Sequence, residues 1–194
     1  MAIQHTLFIS ANRLVKDTAL GGTVDQNLIH PYILTAQDKY ILPVLGTDLY
    51  NKIISDVNAD TITGDYETLL EDYIQPALVQ FAFAEILPFM RIRFVNNAIV
   101  VMGATEQSSS ATYDDIKPLI NNAMDTAEFY RKRLVDYLID NTSSFAEYST
   151  NSGSDLSPSK NAYYSGLNVD SRPSKDNLQL KAILSGIGIK NSGI

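Results

Sequence analysis

The chain has 194 residues, 45% of them apolar, which is enough for one well-packed domain with an appendage. It contains no cysteine, so disulfide bonds, thiolate metal sites and cysteine nucleophiles are excluded together. No apolar run reaches the ~20 residues of a membrane-spanning helix, and no basic segment precedes an apolar one at the start, so we expect a soluble, unsecreted protein.

The charge is unevenly distributed along the chain. Residues 1–148 contain 10 basic and 19 acidic side chains, a net charge of −9, whereas residues 149–194 contain 5 and 3, a net charge of +2. Tight binding to nucleic acid requires lysine and arginine side chains that displace counterions from phosphates. The acidic part is therefore a poor candidate for gripping nucleic acid.

Helical periodicity follows a short opening element at residues 8–18. The loop ALGGTVD ends in Asp25, which is suited to cap the next helix. Apolar residues then recur at spacings of four, three and four, which predicts one buried helix face: Ile29, Ile33, Ala36 and Tyr40. On this wheel Gln37 falls largely outside that face.

The stretch YILPVLGTDLY, residues 40–50, predicts a corner between two helices. Pro43 lacks an N–H donor and disfavours helical geometry before it, so the first helix should end there. Gly46 supplies backbone freedom, and Thr47 is placed to cap a second helix starting at Asp48. A phosphate loop would need several glycines and a lysine, so we interpret this stretch as a structural corner.

Residues 56–67, DVNADTITGDYE, suggest a different function. Positions 1, 3, 5 and 12 of a calcium-loop template are occupied by Asp56, Asn58, Asp60 and Glu67. Thr61 stands where the template has its turn-forming glycine, so the sharp bend lacks its usual residue. A calcium-dependent helical protein-binding module is the alternative hypothesis, and an acidic linker between helices is the simpler interpretation.

A long interrupted helix and a hairpin are predicted next. Helical spacing runs from about residue 66 to 90, with Pro76 starting a fresh helix or a kink and Pro88 closing it. Ile92 and Phe94 then alternate with arginines ahead of a turn-prone asparagine pair, which predicts a β-hairpin near residues 90–103.

The strongest periodic signal lies in the last predicted helix. Asp115 should cap it, with Pro118 in its first turn, and it should end near Asp140. Its apolar stripe alternates by four and three: Ile116, Ile120, Ala123, Ala127, Tyr130, Leu134 and Tyr137. The basic run at 131–133 is expected to lie along the solvated face.

Composition changes after Tyr148. A stretch rich in serine, asparagine, glycine and proline cannot order itself alone, yet the chain ends in the apolar sequence LQLKAILSGIGI. We therefore predict that residues 149–194 form an extended arm that docks on neighbouring subunits and becomes ordered only there. An arm that folds back on its own domain is the alternative.

Candidates for catalysis are few. His5 lies near the terminus and His30 precedes a proline at a helix start, where a structural role is more typical. Adjacent carboxylates such as Glu71 and Asp72, or Asp114 and Asp115, diverge on a helix instead of converging on one atom. No hydrolase, zinc-protease or nucleotide-loop motif occurs, so we predict no enzyme and no catalytic, cofactor-binding or metal residue.

The sequence resembles a known family over about residues 7–140. FIS, then LVKDTALGGTVDQNLIHPYILTAQDKYILPVLGTDLYNKI and DYIQPALVQFAFAEILPF, resemble the head-to-tail connector (adaptor or neck ring) proteins of tailed bacteriophages, especially of phages that infect Bacteroidetes. The key matching positions are Ile33, Ala36, Gln37, Tyr40, Ile41, Pro43, Leu45, Gly46 and Leu49.

The resemblance implies a structural virion protein without an active site or cofactor. We expect a mainly α fold: a helical bundle of four to five helices over residues 1–148, with a small β-hairpin insertion and the C-terminal arm. The family implies a homo-oligomeric ring of about twelve copies between the phage portal protein and downstream neck or tail proteins. Genome DNA would pass through its centre without sequence-specific binding. The implied location is the virion neck, after assembly in the host bacterial cytoplasm.

Overall fold

A computed structural model of the chain describes residues 5–21, 24–95, 98–101, 112–150 and 155–159. These residues are mainly α, as predicted, and form six helical runs where four to five were expected. None of the helices in these ranges is long and apolar enough to cross a membrane. Of the predicted arm, residues 149–194, the described residues 155–159 lie on helices of the same chain, which is the alternative outcome, and residues 151–154 and 160–194 lie outside the described residues.

The helices follow each other in this order: α1 Ala11–Asp17, α2 26–45, α3 Thr47–Ala59, α4 65–86, α5 Tyr113–Asp140 and α6 Ala146–Ser149. A 3-10 turn, Leu87–Arg91, extends α4 where Pro88 was expected to close it. Strands β1 Ile92–Val95 and β2 Ala98–Val101 then pair antiparallel, with Ile92 opposite Val101. Asp25 caps α2 as predicted, because its side chain accepts a hydrogen bond from the N–H of Asn27.

Two helices pass a proline by widening one turn. In α2 the segment Gln37–Ile41 is π-helical, and in α4 the segment Leu69–Ile74 is π-helical. A proline stands two residues after each wide turn, Pro43 in α2 and Pro76 in α4. In a π turn an N–H donates to the carbonyl five residues back, whereas in an α-helix it donates to the carbonyl four residues back. The wide turn just before the proline therefore leaves out one carbonyl. The proline has no N–H to donate, and the helix tolerates this because the bonding pattern is already shifted there.

The prediction that Pro43 ends the first helix is therefore wrong. The helix continues to Leu45, and the chain turns at Gly46, whose φ of 74° lies in the left-handed region that glycine adopts readily. The stretch is a corner between two helices, as predicted, but the glycine makes the turn and the proline does not.

The core forms where α1, α2, α3, α4 and α5 pack together. The predicted face of α2 is confirmed, because Ile29, Ile33 and Ala36 are fully buried. The α5 stripe is confirmed in part, because four of its seven residues are buried: Ile116, Ala123, Ala127 and Leu134. Ile120, Tyr130 and Tyr137 are only half-buried, whereas Val135 and Leu138, outside the predicted stripe, are fully buried. Small side chains at this stripe allow close approach between helices.

The start of α5 differs from the prediction. The N-cap is Thr112, whose hydroxyl accepts from the N–H of Asp115, while the Asp115 carboxylate accepts from the N–H of Thr112. Asp115 is thus the third residue of a reciprocal capping box and not the N-cap. The end of α5 at Asp140 is as predicted.

One residue of the basic run 131–133 also departs from expectation. Lys132 and Arg133 are exposed, whereas Arg131 is only 8% exposed and its Nε lies 2.7 Å from a carboxylate oxygen of Glu128. A periodicity of 3.6 places Arg131 one turn before the buried Val135, and pairing with Glu128 offsets its burial.

Candidate functional site

The corner, residues 43–47, binds an extended segment from far along the chain, residues 155–159, here called the C-terminal segment. The N–H of Thr47 donates to the carbonyl of Leu156 at 3.0 Å, and the N–H of Ser159 donates to the carbonyl of Pro43 at 2.8 Å. The segment thereby satisfies the first N–H of α3 and a last carbonyl of α2. Helix ends leave such groups without a helical partner.

The side chain of Thr47 completes this contact. Its Oγ1 accepts a hydrogen bond from the N–H of Leu156 at 3.0 Å and lies 3.3 Å from a carboxylate oxygen of Asp155. The prediction that Thr47 caps the second helix is wrong, since Gly46 is the N-cap and no side-chain bond caps α3. The threonine hydroxyl is used to hold the C-terminal segment instead.

Gly46 provides the surface on which Pro158 packs. A Cβ added at Gly46 would lie 2.7 Å from both Cδ and Cγ of Pro158 and 2.9 Å from its nitrogen. These distances are far below ordinary van der Waals contact, so only glycine allows the proline to approach this closely. The corner therefore combines two backbone hydrogen bonds, one hydroxyl and a fitted proline ring.

The N-terminal segment, residues 6–9, is held by glutamines beside the two π turns. Gln37 is fully buried, and its Oε1 accepts from the N–H of Phe8 at 2.9 Å. Its Nε2 donates to the carbonyl of Thr6 at 3.0 Å and to the hydroxyl of Tyr50 at 2.8 Å. Gln75 donates to the carbonyl of Phe8 at 2.8 Å. Amide side chains thus replace the neighbouring strand that an extended segment would otherwise pair with.

Sequence reasoning missed the burial of Gln37. The available signal was its distance of four residues from Ile33, which places it at the edge of the buried face. Polarity argued for the solvated side, but a glutamine whose amide groups are all bonded can be buried at little cost.

A carboxylate links α2 to α4. One oxygen of Glu85 accepts hydrogen bonds from Lys39 Nζ and from the Tyr40 hydroxyl, each at 2.6 Å. Burial acts to raise the pKa of Glu85, but these two hydrogen bonds outweigh it and hold the pKa below its usual range. The Tyr40 ring stacks on Phe81 with centroids 4.1 Å apart. The cluster joins two helices.

A second tyrosine fixes the short helix that precedes the C-terminal segment. The Tyr66 hydroxyl donates to a carboxylate oxygen of Glu147 at 2.6 Å, and its ring meets Phe145 edge-on at 5.3 Å. Burial, and then this hydrogen bond, raise the pKa of Tyr66 from 10.0 to about 12. The contact attaches α6 to the start of α4 and so sets the point from which the chain returns to the corner.

The calcium template does not form a loop. Asp56 and Asn58 lie in the last turns of α3, Asp60 ends that helix with a φ of 54°, and Glu67 lies in the first turn of α4. Asp56 is ion-paired with Lys52 at 2.7 Å. Because the template needs its first positions in a loop, a helical Asp56 and Asn58 do not place their oxygens around one ion. Within the described ranges no group of three or more His, Asp or Glu side chains could hold a metal ion.

The remaining polar candidates do not come together either. His5 and His30 are both exposed, and so are Glu71 and Asp72 on α4. Of the other adjacent acidic pair, Asp114 is exposed and Asp115 serves in the α5 capping box.

Residues 41–157 match a family model described as a family of unknown function, DUF6712. The chain belongs to this family. No curated protein and no solved structure matches it. The DUF6712 region begins in the last turns of α2 and ends inside the C-terminal segment. The contact between the corner and that segment therefore joins the two ends of the DUF6712 region.

Proposed function

We propose that this protein is a structural virion protein that forms a ring at the portal vertex of a tailed phage. The ring would join the capsid portal to the tail and let DNA pass through its centre. The proposal rests on the resemblance of residues 7–140 to head-to-tail connector proteins and on the mainly α fold. The observation that supports it most is that each described polar cluster holds helices or chain segments together.

Three of these clusters support the proposal most directly. Gln37 bonds to the N-terminal segment, Glu85 bridges α2 and α4, and Tyr66 ties α4 to Glu147. Groups with shifted pKa values often mark catalytic clefts, but here the shifts of Glu85 and Tyr66 arise at contacts between helices. Such a chain is suited to binding other subunits through its surfaces.

The charge of the body supports a channel role. Residues 1–148 carry a net charge of −9, so a ring built from them would present an acidic wall to DNA. Repulsion between that wall and phosphates would let DNA slide without being held.

In this proposal residues 1–148 form a helical connector domain with a hairpin near 90–103, and residues 149–194 form the arm that reaches neighbouring subunits. A head-to-tail interface closes into a ring when the rotation per subunit fits, and a projecting arm enlarges each contact. The partners would be the portal on one side and neck or tail proteins on the other, with no membrane involved.

The test is a measurement of mass by native mass spectrometry, with electron microscopy of the particles. The full chain is measured alone and after mixing with the portal protein of the same phage. We expect closed rings of about twelve copies bound to the portal. A chain that neither forms rings nor binds the portal would contradict the proposal.

A further inference from the structure

We propose that the corner is a peptide-binding site that takes the C-terminal segment in trans, from a second copy of this chain, as well as in cis. The ligand class is an extended peptide with the pattern Leu-Ser-Pro-Ser. This inference deepens the proposed function, on which its choice of partner rests, because a ring places identical corners and segments at regular spacing.

The contact has the chemistry of peptide recognition. Two backbone hydrogen bonds, Thr47 to Leu156 and Ser159 to Pro43, attach the segment to the corner, and the Thr47 hydroxyl accepts a third from the N–H of Leu156. Main-chain bonds of this kind supply affinity when an extended peptide adds to an existing edge. None of them requires that the peptide and the corner belong to the same molecule.

Specificity comes from the proline that lies on Gly46. Because an added Cβ would approach the Pro158 ring to 2.7 Å, the corner has a shallow seat shaped for a ring at that position. Proline also restricts the free peptide to extended conformations, which lowers the entropy lost on binding. Leu156 is 41% exposed, so its side chain is partly covered and adds a second, weaker apolar contact.

The contact is weak enough to exchange. The segment is held by four hydrogen bonds, each of which gives only a small net gain over bonding to water, and its leucine side chain is 41% exposed. Only residues 151–154, NSGS, join it to the end of the α6 region, and this composition is typical of linkers. When copies are held side by side, the effective concentration of a neighbour's segment becomes high, and exchange of identical elements becomes a low-cost interaction.

Two full-length variants that complement each other test the proposal. Pro158→Asp spoils the segment and leaves its corner intact, whereas Gly46→Ala blocks the corner and leaves its segment intact. We expect the Thr47 amide signal of isotope-labelled Pro158→Asp protein to shift saturably when unlabelled Gly46→Ala protein is added. Unlabelled Pro158→Asp protein should cause no shift, because it carries no competent segment.

A synthetic peptide of residues 153–161 provides the second measurement. It should shift the same Thr47 signal, and a peptide with aspartate in place of the proline should bind at least about tenfold more weakly, a difference of about 1.4 kcal/mol. Adding Gly46→Ala to the labelled chain should abolish binding. Gly64→Ala is the matched control, because Gly64 also has a positive φ, 63°, but an added Cβ would meet nothing within 4 Å.

Several outcomes would overturn the inference. These are no saturable shift with millimolar peptide, equal binding of the aspartate peptide, or binding of the peptide but not of the Gly46→Ala chain. The experiment needs neither a ring nor a portal, so it separates this inference from the proposed function. A chain that exchanges segments but forms no ring on the portal would support this inference and contradict the proposed function.

Discussion

The N-terminal and C-terminal segments are both held against helices without forming a helix or strand themselves, but by opposite means. The N-terminal segment places Phe8 and Ile9 in the core, each 3% exposed, and meets its backbone groups with buried glutamine amides. The C-terminal segment leaves Leu156 41% exposed and is bound at the surface by backbone groups, one hydroxyl and a proline ring.

The difference shows which interaction determines how strongly a segment is held and which determines where it lies. Burial of apolar side chains gives most of the stabilisation, whereas hydrogen bonds exchanged with water give a small net gain but fix where a segment lies. The N-terminal segment is therefore part of the folded core. We expect the C-terminal segment, here called the clasp, to detach from the corner while the core stays folded.

The largest expected effect on stability comes from truncating a buried side chain of the N-terminal segment. Phe8→Ala should lower the free energy of unfolding by about 3–5 kcal/mol, because it leaves a cavity beside Tyr50, whose ring lies 5.3 Å away. The same truncation in the other segment, Leu156→Ala, should change it by less than about 0.5 kcal/mol. Urea unfolding followed by circular dichroism measures both. Equal losses for the two variants would remove the distinction between core and clasp.

The second prediction concerns the polar part of the N-terminal contact. Gln37→Ala should lower the free energy of unfolding by about 2–3 kcal/mol, since it leaves the N–H of Phe8 and the hydroxyl of Tyr50 buried without their glutamine partner. Gln26→Ala is the control, because Gln26 is exposed and bonds only to Asn12 in the described part of the chain. Urea midpoints that fall alike for both variants would show that burial of Gln37 is not what matters.

Amphipathic periodicity is the part of the fold that the sequence predicted well. The buried face of α2 and the stripe of α5 follow from apolar spacing alone, because a helix must turn that face to the core. The cap of α2 by Asp25 was predicted correctly, whereas the N-cap of α5, Thr112, was missed. The corner at residues 40–50 was also predicted as a corner.

Several details could not be predicted because they depend on partners distant in the sequence. The hydroxyl of Thr47 has the local context of a cap, but its bond goes to Leu156, 109 residues away. Gln37 looks solvated until Phe8 and Thr6 are brought against it. In the π turns before Pro43 and Pro76, the regular helical hydrogen-bond pattern is interrupted so that the helix can continue past the proline. The helices are packed on both sides of the proline, and no local sequence pattern indicates where such a turn forms.

The third prediction tests the clasp in the intact chain. In both Gly46→Ala and Gly64→Ala, the strain of alanine at a positive φ should lower the free energy of unfolding by about 1–3 kcal/mol. Only Gly46→Ala should also open the clasp, since only its Cβ meets Pro158. Trypsin cleavage after Lys160, directly beyond the segment, should accelerate severalfold in Gly46→Ala and remain at the parental rate in Gly64→Ala. Parallel rates in the two variants would place the segment away from the corner.

The smallest expected effect concerns α6, which delivers the chain to the clasp. Tyr66→Phe should cost about 1 kcal/mol near neutral pH, because the hydroxyl no longer bonds to Glu147. The pKa of Tyr66 is raised from 10.0 to about 12 in the folded chain, so the unfolded chain loses this proton first as the pH rises. The stabilisation from Tyr66 is therefore complete below pH 10 and is lost as the pH rises through about 12.

The alkaline range gives this last prediction its sharpest measurement. Burial and the Glu147 carboxylate both disfavour a tyrosinate at Tyr66, so ionisation must release the hydroxyl from Glu147. The free energies of unfolding of the parent and of Tyr66→Phe should converge between pH 10 and about 12. Over this range the parent loses the hydrogen bond from the Tyr66 hydroxyl, which the variant lacks at every pH. Every other tyrosine is present in both proteins, so its contribution cancels in the difference. A difference that stays constant through that range would mean that the hydroxyl of Tyr66 does not hold α6 in place.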